Sequence, residues 1–253
     1  MNSVACNLIV VVACLSSSAR ASDWELLLDI PAPEAKQAAA ADQRFVYAIT
    51  NDRIAKYDRE TGQQVAVSSG TAKHLNSGFF WKGKLLCAHS NYPTLPEISE
   101  IKVLDTQTMR LSGFHEFGNY GGSLTWVVRY RDSWWCNFAK YGDENSKTFL
   151  VRFDDQWRER DRWTYPPSLI DRLGSYSLSG GLWMDDLLLV TGHDAQEVYR
   201  LRLPEKGFEL EFVATEKVPF TGQGIAIDPK THGLIGISRR ERKLLLLAPA
   251  ETR

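Results

Sequence analysis

One phrase, written five times, limits what this chain can fold into more than any other feature. Each copy starts on Gly or small residues and runs through an apolar strand, a tight turn and a second apolar strand. A third strand follows and closes on an Asp- or Gly-rich turn. The clearest pair sets His74-Leu75-Asn76-Ser77-Gly78-Phe79-Phe80-Trp81-Lys82-Gly83 against Ser177-Leu178-Ser179-Gly180-Gly181-Leu182-Trp183-Met184-Asp185-Asp186. Both run without a gap into an apolar strand, residues 84–88 and 187–191. Repeats of about 40–45 residues with four short strands each are the mark of propeller blades. The expected fold is all-β: a five-bladed β-propeller.

With strands A to D running from the central channel outward, the first repeat reads 37–41, 45–50, 53–58 and 63–67. Its alanine run, Ala38 to Ala41, has helical propensity, but its spacing to Phe45 matches strand A of the other repeats. The second repeat reads 76–81, 84–89, 100–105 and 109–117; the third 125–130, 133–138, 148–154 and 158–164; the fourth 179–184, 187–192, 197–203 and 208–213. These runs are β-branched or aromatic and are bounded by turn residues. The fifth repeat supplies A at 224–228, B at 234–239 and C at 242–247, and then lacks a D strand. A spare strand, WELLLD at Trp24–Asp29, stands at the other end. It is expected to complete the last blade, close the ring and remove the open sheet edges.

A chain of 253 residues can be one such domain. Its net charge of −1 supplies no field for nucleic acid or anionic lipid. The one dense basic cluster, Arg239, Arg240, Arg242 and Lys243, reads as a solvated strand end. The first residues read as a secretory signal: an apolar run from Leu8 to Leu15, small residues, and Ala19-x-Ala21 before Ser22. Residues 1–21 are then a signal peptide and 22–253 a single propeller domain, secreted or periplasmic. The alternative is a lipid anchor on Cys14, after Val11-Val12-Ala13. The run is too short for a membrane span, so no integral membrane segment is expected in the mature chain. Cys87 and Cys136 then remain, both mid-strand among apolar residues, and read as buried core thiols.

In a propeller the D-to-A and B-to-C connections share one face, the upper one, and long loops on a rigid scaffold commonly carry function. Here the long B-to-C connections are 90–99 and 139–147. Strand starts and ends bring His, Tyr, Trp, Arg and small hydroxyls to that face, as in a pocket for a small polar molecule. Candidate acid–base residues are His89, His74 and Tyr92, because imidazole titrates near neutral pH. Candidate substrate-binding residues are Asn76, Asn91, Thr125, Trp126, Tyr141, Ser179, His193, Gln223 and Arg239, with Arg239 as an anion anchor and Trp126 as a floor. Strand-start Asn, Ser and Thr can equally bond neighbouring backbone. His193-Asp194 reads as a turn, since adjacent strand residues point to opposite faces. No cofactor is required by the sequence. Three His from two blades leave a transition metal open, although no HxH or HxxxH spacing occurs. No Asp or Glu stands at an inner-strand start, where a calcium site would need one.

Phe220-Thr221-Gly222-Gln223-Gly224, Tyr57-Asp58-x-x-Thr61-Gly62, His74-Leu75-Asn76-Ser77-Gly78 and His89-Ser90-Asn91-Tyr92-Pro93 carry a resemblance. The chain resembles small secreted five-bladed propellers related to glutaminyl cyclotransferases and to bacterial proteins labelled cycloisomerase. The resemblance implies cyclisation or related chemistry. Those cyclotransferases use a carboxylate near the channel, which the inner-strand starts here lack. Two expectations follow: a secreted enzyme running cyclisation, lyase or hydrolytic ring-opening chemistry, or a non-catalytic propeller that binds a ligand, glycan or protein.

Overall fold

The structure, a computed structural model, describes residues 24–250; the expected signal and Cys14 lie outside them. Strand β1 (Trp24–Pro31) is followed by blade 1, formed by β2 (Ala38–Ala41), β3 (Phe45–Ile49), β4 (Ile54–Asp58) and β5 (Gln64–Val67). Blade 2 contains β6 (His74–Trp81), β7 (Lys84–Ser90), β8 (Ser99–Asp105) and β9 (Arg110–Gly118). Blade 3 contains β10 (Ser123–Tyr130), β11 (Ser133–Ala139), β12 (Phe149–Phe153) and β13 (Glu159–Thr164). Blade 4 contains β14 (Gly180–Met184), β15 (Leu187–Thr191), β16 (Glu197–Arg202) and β17 (Glu211–Lys217). In blade 5, β18 (Ala226–Ile227), β19 (Leu234–Ser238) and β20 (Lys243–Pro249) are completed by β1. The pairing of β1 with β20 is antiparallel and runs from Trp24 opposite Pro249 to Pro31 opposite Lys243. Five four-stranded sheets thus close into a ring through the leading strand.

Turn chemistry explains why the repeats fold alike. The first hairpins of blades 2, 3 and 4 turn on Lys82-Gly83, Arg131-Asp132 and Asp185-Asp186, each pair with both φ values positive. Two-residue turns of that handedness match the right-handed twist of the flanking strands. The outer hairpins of blades 1 and 2 turn on Asp58 and Asp105. Each accepts the backbone N–H groups two and three residues on, and the hydroxyl of Thr61 or Thr108.

The alanine run of β2 is fully buried because the inner strands converge. A Cβ on Gly224 would lie 2.5 Å from the Cβ of Ala38, and one on Gly181 would lie 2.4 Å from the ring of Trp126. Small residues at these starts are what the narrow channel admits. The core itself lies between blades, where side chains of facing sheets interdigitate. In the layer of blades 3 and 4, for example, Trp135 packs on Trp163 and Trp183.

The largest departure from the expected strand boundaries lies in blade 4. The outer strand of blade 4 begins at Glu211 rather than Phe208. Residues 208–210 bond sideways to blade 3 instead: Thr164 N–H donates to Phe208 O at 2.8 Å and Leu210 N–H to Thr164 O at 2.9 Å. A neighbouring edge thus outcompetes the strand's own sheet for these backbone groups.

Candidate functional site

The upper face is first a belt of joints. Leu75 N–H donates to Asn51 O, linking blades 1 and 2. Asn76 Nδ2 donates to Leu124 O at 3.2 Å, and Thr125 Oγ1 to Leu178 O at 2.7 Å. Thr191 Oγ1 donates to Gln223 O, and Gly224 N–H to Gln37 O at 2.9 Å. Every joint of the ring therefore carries at least one hydrogen bond here. Asn137 Nδ2 donates to Thr125 Oγ1 at 2.8 Å and Tyr165 Oη to Asn137 Oδ1 at 2.8 Å, extending the blade 3 joint inward. Gln223 Nε2 donates to His193 O at 2.7 Å. Asn76, Thr125 and Gln223 are 5%, 2% and 1% exposed. These three expected substrate contacts are already bonded between blades. Trp126 is fully buried and its ring lies against Gly181, across the joint between blades 3 and 4. Ser179 is half-buried and its N–H donates to Thr191 O.

The second group lies on blade 2 and its neighbour. His89 stands next to last in β7, with its Nε2 engaged. The backbone N–H of Lys73 donates to Nε2 at 2.9 Å, which leaves the proton on Nδ1. Nδ1 lies 3.0 Å from Glu100 Oε1, off the line of its N–H. Lys102 Nζ is also 3.0 Å from that oxygen. The His89 ring, against the opposing push of burial and with help from Lys102, holds Glu100 down to about 2. Here is a carboxylate that the sequence reading missed by searching inner-strand starts. The signal existed, because the hairpin that sets Ser90 opposite Ser99 sets His89 opposite Glu100.

His74 starts β6 on the same blade, and among the described residues its ring nitrogens make no hydrogen bond. Burial, with the nearby His89, pulls its ring down to about 4, so it is a neutral base at pH 7. Its ring lies 5.1 Å from that of Tyr92, which in turn lies 4.7 Å from that of Tyr141. Burial foremost, and the neighbouring Tyr92 and Glu97, push the Tyr141 hydroxyl well above its ordinary range, so it keeps its proton. Asn91 braces the loop under Tyr92: its Nδ2 donates to Pro96 O at 3.0 Å and its Oδ1 accepts from Ile98 N–H at 2.8 Å. Lys140 Nζ ties the two long loops together through Glu97 at 2.7 Å. His74 is thus a neutral proton acceptor and Tyr141 a protonated donor, although burial makes the acceptor less basic and the donor less acidic than in water.

The third group joins blades 4 and 5. His193 stacks on Tyr176 at 3.9 Å, and its Nδ1 is 2.8 Å from Asp194 Oδ2. Arg239 Nη1 reaches the same ring at 3.2 Å and Asp194 Oδ1 at 3.4 Å. The cation of Arg239 is thus partnered. Among the described residues no hydrogen bond, ion pair or ring contact links this group to His74 or Tyr92. His115 is on the outer strand β9, stacked on Trp157 at 4.1 Å. No group of three or more His, Cys, Asp and Glu among the described residues could hold a metal. None of the described helices is long and apolar enough to cross a membrane.

No protein-family model matches the chain, and no curated protein matches it by sequence. Solved structures do match. The chain is similar to the glutaminyl cyclase of Myxococcus xanthus, with a TM-score of 0.61 over 88% of this chain and 95% of that one, at 10% identity. It is also similar to the Cps50 (Swd1) β-propeller domain of Myceliophteria thermophila, with a TM-score of 0.51 over 90% and 100%, at 8% identity. At such identities the shared property is the fold. The resemblance to glutaminyl cyclase-like propellers therefore holds at the level of architecture.

Proposed function

We propose that the protein is an enzyme, acting outside the cytoplasm on a small polar molecule at the upper face by acid–base chemistry. The observation that carries this reading is His74: a neutral imidazole with unbonded nitrogens, packed in a row with Tyr92 and Tyr141. His74 accepts a proton from a substrate N–H or O–H, and Tyr141, supported by Tyr92, donates one to the oxygen or nitrogen where charge develops. Cyclisation, elimination and hydrolytic ring opening share this pair of transfers. His89 positions rather than reacts, because its Nε2 is taken by the Lys73 N–H and its Nδ1 is buried 3.0 Å from Glu100. The M. xanthus glutaminyl cyclase supports the reading only as an enzyme on the same architecture, because fold alone carries no activity across.

The burial of Asn76, Thr125 and Gln223 in blade joints favours a second reading, a propeller that binds a small molecule without changing it. A polar-metabolite screen by thermal shift, with mass spectrometry of each hit after incubation, separates the two. A new product from a stabilising hit, lost in Tyr141→Phe, supports the enzyme. Hits recovered unchanged support the binder.

A further inference from the structure

Between the inner strands lies a cavity of about 210 Å3, on the side of their tight first hairpins. It is lined by residues from the inner strands of all five blades and the segment leading into β18, among them Phe79, Phe80, Val128, Leu182, Ile225 and Ile227. Ile227, at its rim, is 40% exposed. The one charged residue among those lining it is Arg129, which is already occupied. Its Nη1 bonds Asp155 at 2.6 Å and its guanidinium lies 5.2 Å over the ring of Trp134. The cavity thus offers no free charge.

We propose that this lower mouth is a second binding site, for a small molecule carrying one compact, uncharged apolar group: a single ring or a short branched chain. A buried water needs two to four polar partners, and an apolar cavity of about 150 Å3 admits a benzene-sized guest. This one is larger and its walls are mainly apolar, so a guest's apolar group leaves water on entering it. The cavity lining shares no residue with the His74 group, and the inference does not depend on the acid–base reading.

The test is ligand-observed NMR with benzyl alcohol, and with glycerol as a polar control of similar size. Benzyl alcohol binds the intact protein with a Kd of about 0.1–1 mM, consistent with the ceiling per heavy atom for small ligands, while glycerol does not bind. Ala226→Leu places a side chain in the cavity, and Ile227→Asp places a charge at its exposed rim. Each weakens benzyl alcohol at least about tenfold, while His74→Gln leaves it unchanged. Melting curves verify that each variant is folded; the exposed Ile227 position keeps the test open if Ala226→Leu fails to fold. Equal binding of glycerol, no binding of benzyl alcohol at about 10 mM, undiminished binding in Ile227→Asp or lost binding in His74→Gln would overturn the proposal.

Discussion

The seam between blades 5 and 1 offers the sharpest test of how the ring is held. Asp228 follows β18 and is fully buried; Arg59 follows β4 and is 6% exposed. The guanidinium grips the carboxylate at both oxygens, 2.9 Å to Oδ2 and 2.5 Å to Oδ1, and also donates to Asp42 O at 2.8 Å. Thr231 Oγ1 and Lys230 N–H add further donors to Asp228. Burial alone would push the Asp228 carboxyl up, but Arg59, Thr231 and Lys230 outweigh it and hold it below the ordinary range. Replacing Arg59 with Met leaves a buried carboxylate without its cation. Breaking such a pair costs about 3–5 kcal/mol. At about 2–4 °C per kcal/mol for a domain of this size, the melting temperature falls by about 6–20 °C. The second substitution, Asp228→Asn, removes the stranded charge, keeps the bond accepted from Lys230 N–H, and leaves the Thr231 hydroxyl to turn and accept from the new NH2. The double variant therefore regains more than half of the loss. Circular dichroism melts of the four proteins of this cycle provide the check. A fall within about 2 °C for Arg59→Met, or a double variant no better than the single one, would refute the reasoning.

Two further outcomes follow from packing and protonation. In Gly181→Ala the new methyl meets the buried Trp126 ring, with Cε2 at 2.4 Å; overpacking of this kind costs about 1–3 kcal/mol, and an unchanged melting temperature would mean that the inner strands are looser than described. For His74 the folded-state value of about 4 lies below the ordinary 6.5, so its contribution is complete above pH 6.5 and is lost as pH falls from 6.5 towards 4. That contribution is about 2 kcal/mol after allowing for solvent at the ring. Between pH 7 and pH 4 the wild type should lose about 4–8 °C more than His74→Gln, and parallel pH profiles would show that burial does not control this ring.

The blade count and the completing strand were legible because both are one-dimensional facts: a period of repeats, one missing strand and one spare. The buried alanine run overrode its helical propensity because the channel admits only small side chains beside Gly224 and Ser77. His89 opposite Glu100 was also legible, by extending a hairpin register through a ten-residue loop. The joints were not. Asn76 bonds a carbonyl 48 residues away and Thr125 one 53 away, and such pairings leave no local pattern. These buried polar residues therefore read as substrate contacts when most of them hold blades together. The lower cavity escaped notice for a related reason. It is assembled from one to three residues of each of five inner strands, and no one strand announces it.

The most direct measurement is the rate of product formation from a screened substrate across pH 3 to 9, comparing wild type with His74→Gln. Proton abstraction by His74 predicts a wild-type rate that drops on the acid side as the ring takes up its proton near pH 4. It also predicts a loss of about 100-fold or more in the variant with substrate binding retained. An undiminished rate in His74→Gln, with the same acid limb, would contradict it.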